Sequence, residues 1–238
     1  MKNKFRKFIT IVVAFVVAVL FVAKFAGPSL LRLYVETGVG SCRKIPILCM
    51  MPVEQVVFCE PDKKEAFNSF VPLAFPKMSL AIPKGFNVVQ EAIKKVYYKK
   101  GFRRYSGPVI YLLYKERNFF IGLFPQLKAQ GVSNNYEFLK RTMFANLNNI
   151  KGITDAFFVI MKGIFIPDLG DQKNVQMIGF ACMDKKGFIN YNLGEKENYF
   201  DCNVIDQEGN FYKIYIKDKA AVLNLSQVIA IISTLEAK

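Results

Sequence analysis

The side chains that could do chemistry in this chain are carboxylates, lysines, tyrosines and cysteines, because its 238 residues include no histidine. That absence excludes nucleophiles activated by histidine, metal or haem sites held by histidine, and histidine acid–base catalysis. An enzyme built from this sequence would have to use the remaining groups alone. The composition therefore favours a non-enzymatic protein without a cofactor.

Acidic residues cluster only in short loops, and none of these loops has the spacing of a known site. The acids concerned are Asp168, Asp171, Glu195, Glu197, Asp206 and Glu208. The EF-hand spacing with its final glutamate is absent. Nothing in the sequence fixes the distance between two acids, as glycoside hydrolysis requires. We therefore interpret these acids as solvated turn residues and assign no catalytic residue and no metal ligand.

Three of the five cysteines, Cys42, Cys49 and Cys59, lie in a segment rich in proline and glycine. In an oxidising compartment, Cys42 could form a disulfide with either of the other two. Their spacing fits no zinc pattern, and no histidine could complete a three-thiolate site. Cys182 and Cys202 lie in strand-like apolar runs. We interpret these two first as buried free thiols and second as a cross-strand pair.

The strongest charged feature is the stretch KKVYYKKGFRRY at residues 94–105, within a chain of net charge +14. Its cations are Lys94, Lys95, Lys99, Lys100, Arg103 and Arg104. We expect them at the exposed end of a helix over residues 88–100, where they either are simply solvated or bind anionic lipid or an envelope polymer. Nucleic acid is not expected, because Tyr97 would face the core and the segment would lie outside the cytoplasm.

The N-terminal segment is typical of membrane targeting. Four cations precede sixteen uncharged, mostly apolar residues from Phe8 to Ala23. We predict a cytoplasmic basic tail at residues 1–7 and a transmembrane signal anchor at residues 8–27, which Gly27-Pro28 would end. The positive tail predicts a single-pass protein of the cell membrane with its C-terminal domain extracytoplasmic. A cleaved signal peptide is the alternative, although its cleavage site would be poor.

Hydrophobic periodicity predicts an α+β fold, an antiparallel sheet packed by helices and preceded by the single N-terminal transmembrane helix. Residues 28–76 would be a juxtamembrane segment containing cysteines and prolines, with a short helix near Val53–Cys59. Residues 77–238 would be the globular domain. Helices are predicted at residues 88–100, 134–149 and 224–238, a hairpin at 108–125, and strands at 78–86, 156–167, 174–184, 187–193, 199–206 and 210–218.

The order of elements from Lys77 to Leu235 resembles the PsbP-like α/β/α sandwich superfamily, named after an extrinsic photosystem subunit and including exported bacterial proteins. The likeness consists of a strand with a Pro-x-Gly-aromatic turn (IPKGF), a strand pair, a middle helix (YEFLKRTMFANL), several antiparallel strands and a closing helix. Phe86 stands where that superfamily commonly has tryptophan. The resemblance implies a non-catalytic accessory, assembly or binding factor and supplies no catalytic residue.

These features together predict a membrane-anchored, extracytoplasmic accessory or interaction protein of the cell envelope. Its expected partners are the membrane, through the N-terminal helix, and an envelope protein, with an anionic lipid or polymer left open. The alternatives are an extracytoplasmic enzyme without histidine chemistry and a module that binds a small ligand or lipid. Convergent acids in a pocket would favour the enzyme, an empty apolar cavity the ligand-binding module, and an exposed apolar patch a partner surface.

Overall fold

The computed structural model describes residues 26–57, 70–74, 77–84, 87–90, 109–219 and 221–237. They belong to two compact units that alternate along the chain. The helical unit combines Met1–Cys49 with Ala145–Ile164, and the sheet unit combines Met50–Phe144 with Phe165–Lys238. The α+β class predicted from the sequence is confirmed, because both helices and sheets are present.

The sheet unit contains a seven-stranded and a three-stranded sheet. The strands are β1 (Val53–Val57), β2 (Phe70–Ala74), β3 (Met78–Pro83), β4 (Asn87–Gln90), β5 (Val109–Lys115), β6 (Gln176–Cys182), β7 (Lys185–Leu193), β8 (Asn198–Ile205), β9 (Phe211–Asp218) and β10 (Glu236–Ala237). The larger sheet has the order β1-β6-β7-β8-β9-β5-β4, and the smaller one β10-β3-β2. Pairing is antiparallel except at the two edges of the larger sheet, where β1 and β4 run parallel to their neighbours.

The helices are α1 (residues 26–38), α2 (Phe119–Leu123), α3 (Asn135–Phe144), α4 (Ile153–Phe165) and α5 (Leu225–Ser233). Short 3-10 turns lie at Pro46–Cys49, Pro125–Gln130, Leu147–Asn149 and Gln172–Asn174. Two of the predicted helices are confirmed as α3 and α5. Each begins with an asparagine whose side chain accepts a backbone N–H, Asn134 from Glu137 and Asn224 from Gln227.

The predicted run of strands from residue 174 to 218 is confirmed as the meander β6 to β9. Alternate residues place apolar side chains on one face, where they pack with β3 and α5 to form the main core. The members of this face include Ile178, Phe180, Ile189, Phe200, Cys202, Val204, Tyr212, Ile214 and Ile216. The alternation of apolar residues was visible in the sequence because each of these strands buries the side chains of one face in the main core.

Two predicted helices are wrong, because the edges of the larger sheet recruit their residues. Val53–Val57 forms β1 beside β6, and Asn87–Gln90 forms β4 beside β5. Both segments contain consecutive valines, whose branched Cβ atoms fit a strand better than a helix. Residues 91–100, the remainder of the second predicted helix, lie outside the described residues.

The predicted hairpin at residues 108–125 is wrong in its second half, where α2 follows β5. The fully buried Asn135 holds this bend through its side chain, which donates to Glu116 O and Gly209 O at 3.0 Å each and accepts from Phe120 N at 3.2 Å. The ring of Phe120 stacks on Phe138, with centroids 4.6 Å apart. Strand β5 pairs instead with β9, which is distant in sequence.

The predicted strand at residues 156–167 is also wrong, because α4 occupies Ile153–Phe165. Its aromatic and branched residues favour a strand locally. Packing favours a helix, since Ala156 and Val159 lie three residues apart in the core of the helical unit. Val35 of α1 and Leu48 belong to the same core.

The predicted end of the N-terminal helix at Gly27-Pro28 is wrong, since residues 26–38 are helical. Val35 is buried, and Leu31 and Val39 pack with it at four-residue spacing, so core contacts sustain the helix beyond the proline. The prediction of a fold preceded by a transmembrane helix at residues 8–27 is wrong for the part that the structure describes: residues 26 and 27 belong to α1, and residues 8–25 lie outside the described residues. No helix within the described ranges is long and apolar enough to cross a bilayer. The described helix that adjoins that segment, α1, carries Arg32 and Glu36.

Strands β7 and β8 approach each other closely at Gly187, and a substitution there tests how much the sheet depends on this close approach. A Cβ atom at this position would lie 1.9 Å from the backbone oxygen of Asn203. We expect Gly187→Ala to lower the free energy of unfolding by about 1–3 kcal/mol, because the strands would have to move apart. Urea unfolding would measure the change.

The matched control for that substitution is Gly179→Ala on the adjacent strand β6. A Cβ there would meet Phe188 at 3.7 Å, an ordinary contact. Equal stability of the two variants would contradict the close approach.

Candidate functional site

Two of the predicted site residues come together in the described chain. Cys42 and Cys49 form a disulfide, with Cα atoms 5.6 Å apart, that closes the turn following α1. Cys59 and the six predicted surface cations lie outside the described residues, the cations being Lys94, Lys95, Lys99, Lys100, Arg103 and Arg104. The anionic-surface role of those cations therefore stays a prediction.

The two cysteines of the meander have different states. Cys202 is a buried free thiol, and burial raises its pKa well above the usual range, so it stays protonated and unreactive. Cys182, at the end of β6, takes part in a disulfide. The interpretation of Cys182 as a free thiol is therefore wrong, as is the alternative pairing of Cys182 with Cys202.

A buried ion pair lies on the sheet face opposite the main core. Asp201 of β8 has no solvent exposure, and the Lys213 ammonium of β9 lies 2.6 Å from its Oδ1. Asn190 and Asn203 donate to Oδ2 of the same carboxylate at 3.0 and 2.8 Å. Strand register explains the cluster, since Asn190 is directly opposite Asp201 and Asn203 is directly opposite Lys213.

The charged groups of this cluster are engaged by each other and by nearby oxygens and amides. The three N–H donors of Lys213 face three oxygens, those of Asp201, Asn203 (3.3 Å) and the backbone of Phe165 (2.6 Å). The carboxylate is occupied on both oxygens, because Oδ1 has the ion pair and Oδ2 accepts two amide N–H groups. These contacts connect β8, β9 and Phe165 within the sheet unit.

The same face anchors the loop that contains Asp168 and Asp171. Asn192 donates to Leu169 O and Asp171 O at 2.8 and 3.0 Å. The loop carboxylates accept from backbone N–H groups two residues later, Asp168 from Gly170 and Asp171 from Lys173. These contacts are those of turn-forming aspartates and not of cation ligands. Within the described ranges, no group of three or more acids or cysteines could hold a metal ion.

The acids of the β8–β9 turn are likewise held by neighbours. Asp206 accepts from the backbone and side chain of Asn210 at 2.8 and 2.9 Å and from the Tyr212 hydroxyl at 2.9 Å. Burial and the bond to Asp206 raise the pKa of Tyr212 far above its ordinary value, so the phenol remains neutral and is no general base.

A groove beside this turn brings three acids together, Asp184, Asp206 and Glu208. It is lined by Asp184, Lys185, Asp206, Gln207, Glu208, Tyr212, Leu235 and Ala237. Its volume is about 120 Å³, which is below the roughly 300–1,000 Å³ of ordinary ligand sites. The Lys185 ammonium pairs with Asp184 at 2.6 Å. The groove brings acids together, and two of its charged groups are engaged by neighbours, Lys185 by Asp184 and Asp206 by Asn210 and Tyr212.

The helical unit buries one further ionisable group, Lys162 of α4. Its ammonium donates to Ala145 O at 2.9 Å, and burial lowers its pKa to about 7. This hydrogen bond connects α4 to Ala145, the first residue of the second chain segment of the helical unit. The Asn146 side chain makes a second tie by donating to Cys49 O at 2.9 Å.

The surface of the helical unit carries the feature most suited to binding. Leu30, Leu33 and Tyr34 of α1 are 63%, 57% and 71% exposed. Their spacing of three and four places them on one side of the helix, away from Leu31, Val35 and Val39 on its packed side. We call Leu30, Leu33 and Tyr34 the α1 apolar face.

An open groove of about 450 Å³ continues from the α1 apolar face around the disulfide turn. It is lined by Leu33, Glu36, Thr37, Val39, Gly40, Ser41, Lys44 and Ile45. Sequence reasoning missed this surface because it placed α1 within a segment without regular structure. The signal was present in LLRLYVETGV, where Leu31, Val35 and Val39 recur every four residues.

None of the family models, curated proteins or solved structures compared with this chain matches it. The PsbP-like resemblance therefore stays a prediction.

The Asp201–Lys213 pair provides a direct test of the structural role of the network. Lys213→Met would leave a buried carboxylate without its counter-charge, and we expect a loss of about 3–5 kcal/mol in the free energy of unfolding. Urea unfolding monitored by circular dichroism would measure it.

The matched control is Lys217→Met on the same strand, which removes the half-exposed pair with Glu197 at 3.3 Å. An exposed pair contributes at most about 1 kcal/mol. Equal losses for the two variants would show that the buried pair does not sustain the sheet unit.

Proposed function

We propose that this chain is an exported accessory protein of the cell envelope, which works by binding a partner and not by catalysis. The observation that carries the proposal is the α1 apolar face. Leu30, Leu33 and Tyr34 stay largely exposed, whereas Asp201 and Lys213, the buried charges of the sheet unit, are engaged by their neighbours. Exposed apolar patches on folded proteins mark sites that bind proteins, membranes or ligands.

The cysteines support an extracytoplasmic location. Cys42 and Cys49 form one disulfide, and Cys182 takes part in another. Structural disulfides persist in oxidising compartments and are rare in the cytosol. The N-terminal cations followed by sixteen uncharged residues are typical of an export signal.

The two alternative functions have less support. Catalysis would need a carboxylate, lysine or tyrosine free to react, but Asp201, Lys213 and Asp206 are each occupied by several neighbours. A ligand-binding module would need an enclosed apolar cavity. The grooves described here are either small or open to solvent. The accessory role implied by the PsbP-like resemblance agrees with the proposal.

Site-specific photo-crosslinking in intact cells tests this function. A photoreactive residue at Leu30 should form a light-dependent adduct, with lipid or with an envelope protein, because this side chain would contact the partner. A photoreactive residue at Leu193, which is 50% exposed at the end of β7, serves as the control. Equal adduct yields at the two positions, or none at Leu30, would contradict a binding role for α1.

A further inference from the structure

We propose that the partner of the α1 apolar face is the surface of a lipid bilayer. The proposal rests on the function proposed above, which places the chain in the cell envelope. It identifies the partner that the α1 apolar face would bind there.

The first argument is the position of α1 in the chain. The uncharged segment from Phe8 to Ala23 ends two residues before the described helix begins. Such a segment partitions from water into an apolar phase. Because α1 follows it directly, a bilayer that receives the segment lies within reach of the first turns of α1. No comparable segment precedes any other exposed apolar side chain of the described ranges.

The second argument is the chemistry of the α1 apolar face and its surroundings. Two leucines and a tyrosine form the face, and tyrosine is enriched where a bilayer meets water. Arg43 and Lys44 are exposed in the turn after α1. Long basic side chains at such positions keep their charge in the headgroup region while their stems contact apolar surface.

The third argument is charge complementarity. The described residues of the helical unit contain five cations, Arg32, Arg43, Lys44, Lys151 and Lys162, and two acids, Glu36 and Asp155. Lys162 is buried and its pKa is lowered to about 7. The other four cations and the two acids give a formal net charge of +2. Within α1 itself Arg32 pairs with Glu36 at 3.0 Å, so the helix is neutral. The cations available to anionic lipid headgroups are Arg43 and Lys44, which are exposed in the turn that follows the apolar face.

The proposed contact is an interfacial one. Leu30 and Leu33 would enter the boundary between headgroups and acyl chains, and the Tyr34 ring would lie with its hydroxyl towards water. Val35, on the packed side of α1, would keep its contacts in the helical unit. Binding would then need no rearrangement of that core.

Tryptophan fluorescence tests this proposal, because the native chain contains no tryptophan. The full chain carrying Leu33→Trp would be reconstituted with vesicles of phosphatidylcholine and phosphatidylglycerol. We expect a blue shift of its emission and a loss of intensity when brominated lipid replaces part of the phosphatidylcholine. Tyr34→Trp is a second reporter that preserves an aromatic ring if Leu33→Trp disturbs folding.

The control is Leu193→Trp in the sheet unit, whose emission should remain that of an exposed indole and respond to aqueous iodide. If the indoles at positions 33 and 34 also remain accessible to iodide in vesicle-bound protein, the lipid proposal is overturned. A protein adduct at Leu30 in cells, together with that fluorescence result, would leave the proposed function in place and remove only the lipid partner. Absence of any adduct at Leu30 would count against both.

Discussion

The sheet unit depends on a buried charge. Asp201 has no contact with solvent, so its carboxylate must be compensated inside the protein. Lys213 provides the counter-charge, and Asn190 and Asn203 complete the hydrogen bonds. Because the lysine also donates to the backbone of Phe165, the pair connects the middle of the larger sheet to the chain that leaves α4. Each face of the sheet therefore has its own means of cohesion, apolar packing against β3 and α5 on one side and this network on the other.

The same constraint engages the charged groups of this cluster with one another. Reactive groups need a proton, a lone pair or a charge that is not already engaged. In the network around Asp201 the carboxylate and the Lys213 ammonium both face neighbours at hydrogen-bond or ion-pair distance. In the helical unit, by contrast, α1 leaves its apolar face in solvent. This contrast between engaged buried charges and an open apolar face underlies the proposed binding function.

Local pattern was sufficient for elements whose partners are close in sequence. The strands from β6 to β9 alternate regularly and pair with their immediate successors. The α3 and α5 helices have asparagine caps that the sequence displays. The missed elements depend on distant partners: β1 pairs with β6 across more than a hundred residues, and α4 is helical because its small and branched residues complete a core with α1. Competing local propensities were overridden there by packing.

The candidate site was predictable in part. The four-residue recurrence of Leu31, Val35 and Val39 would have identified α1 and hence the opposite, exposed face, but a proline at its start suggested an end to helix. The Asp201–Lys213 pair could have been found from alternation, because both residues fall out of phase with the apolar positions of β8 and β9. Their mutual contact required the register of the two strands, which no local pattern supplies.

Location is the central claim, and mapping of cysteines trapped by alkylation in intact cells tests it most directly. Cells would be treated with a membrane-permeant alkylating reagent, and the protein would then be denatured with the reagent still present. Mass spectrometry before and after reduction would show which cysteines were free thiols and which were in disulfides. An extracytoplasmic protein should show Cys42, Cys49 and Cys182 blocked until reduction. Cys202, alone among the four described cysteines, should be modified before reduction, once denaturation in the presence of the reagent has exposed its buried thiol. Modification of Cys42 and Cys49 without reduction would contradict the proposed location.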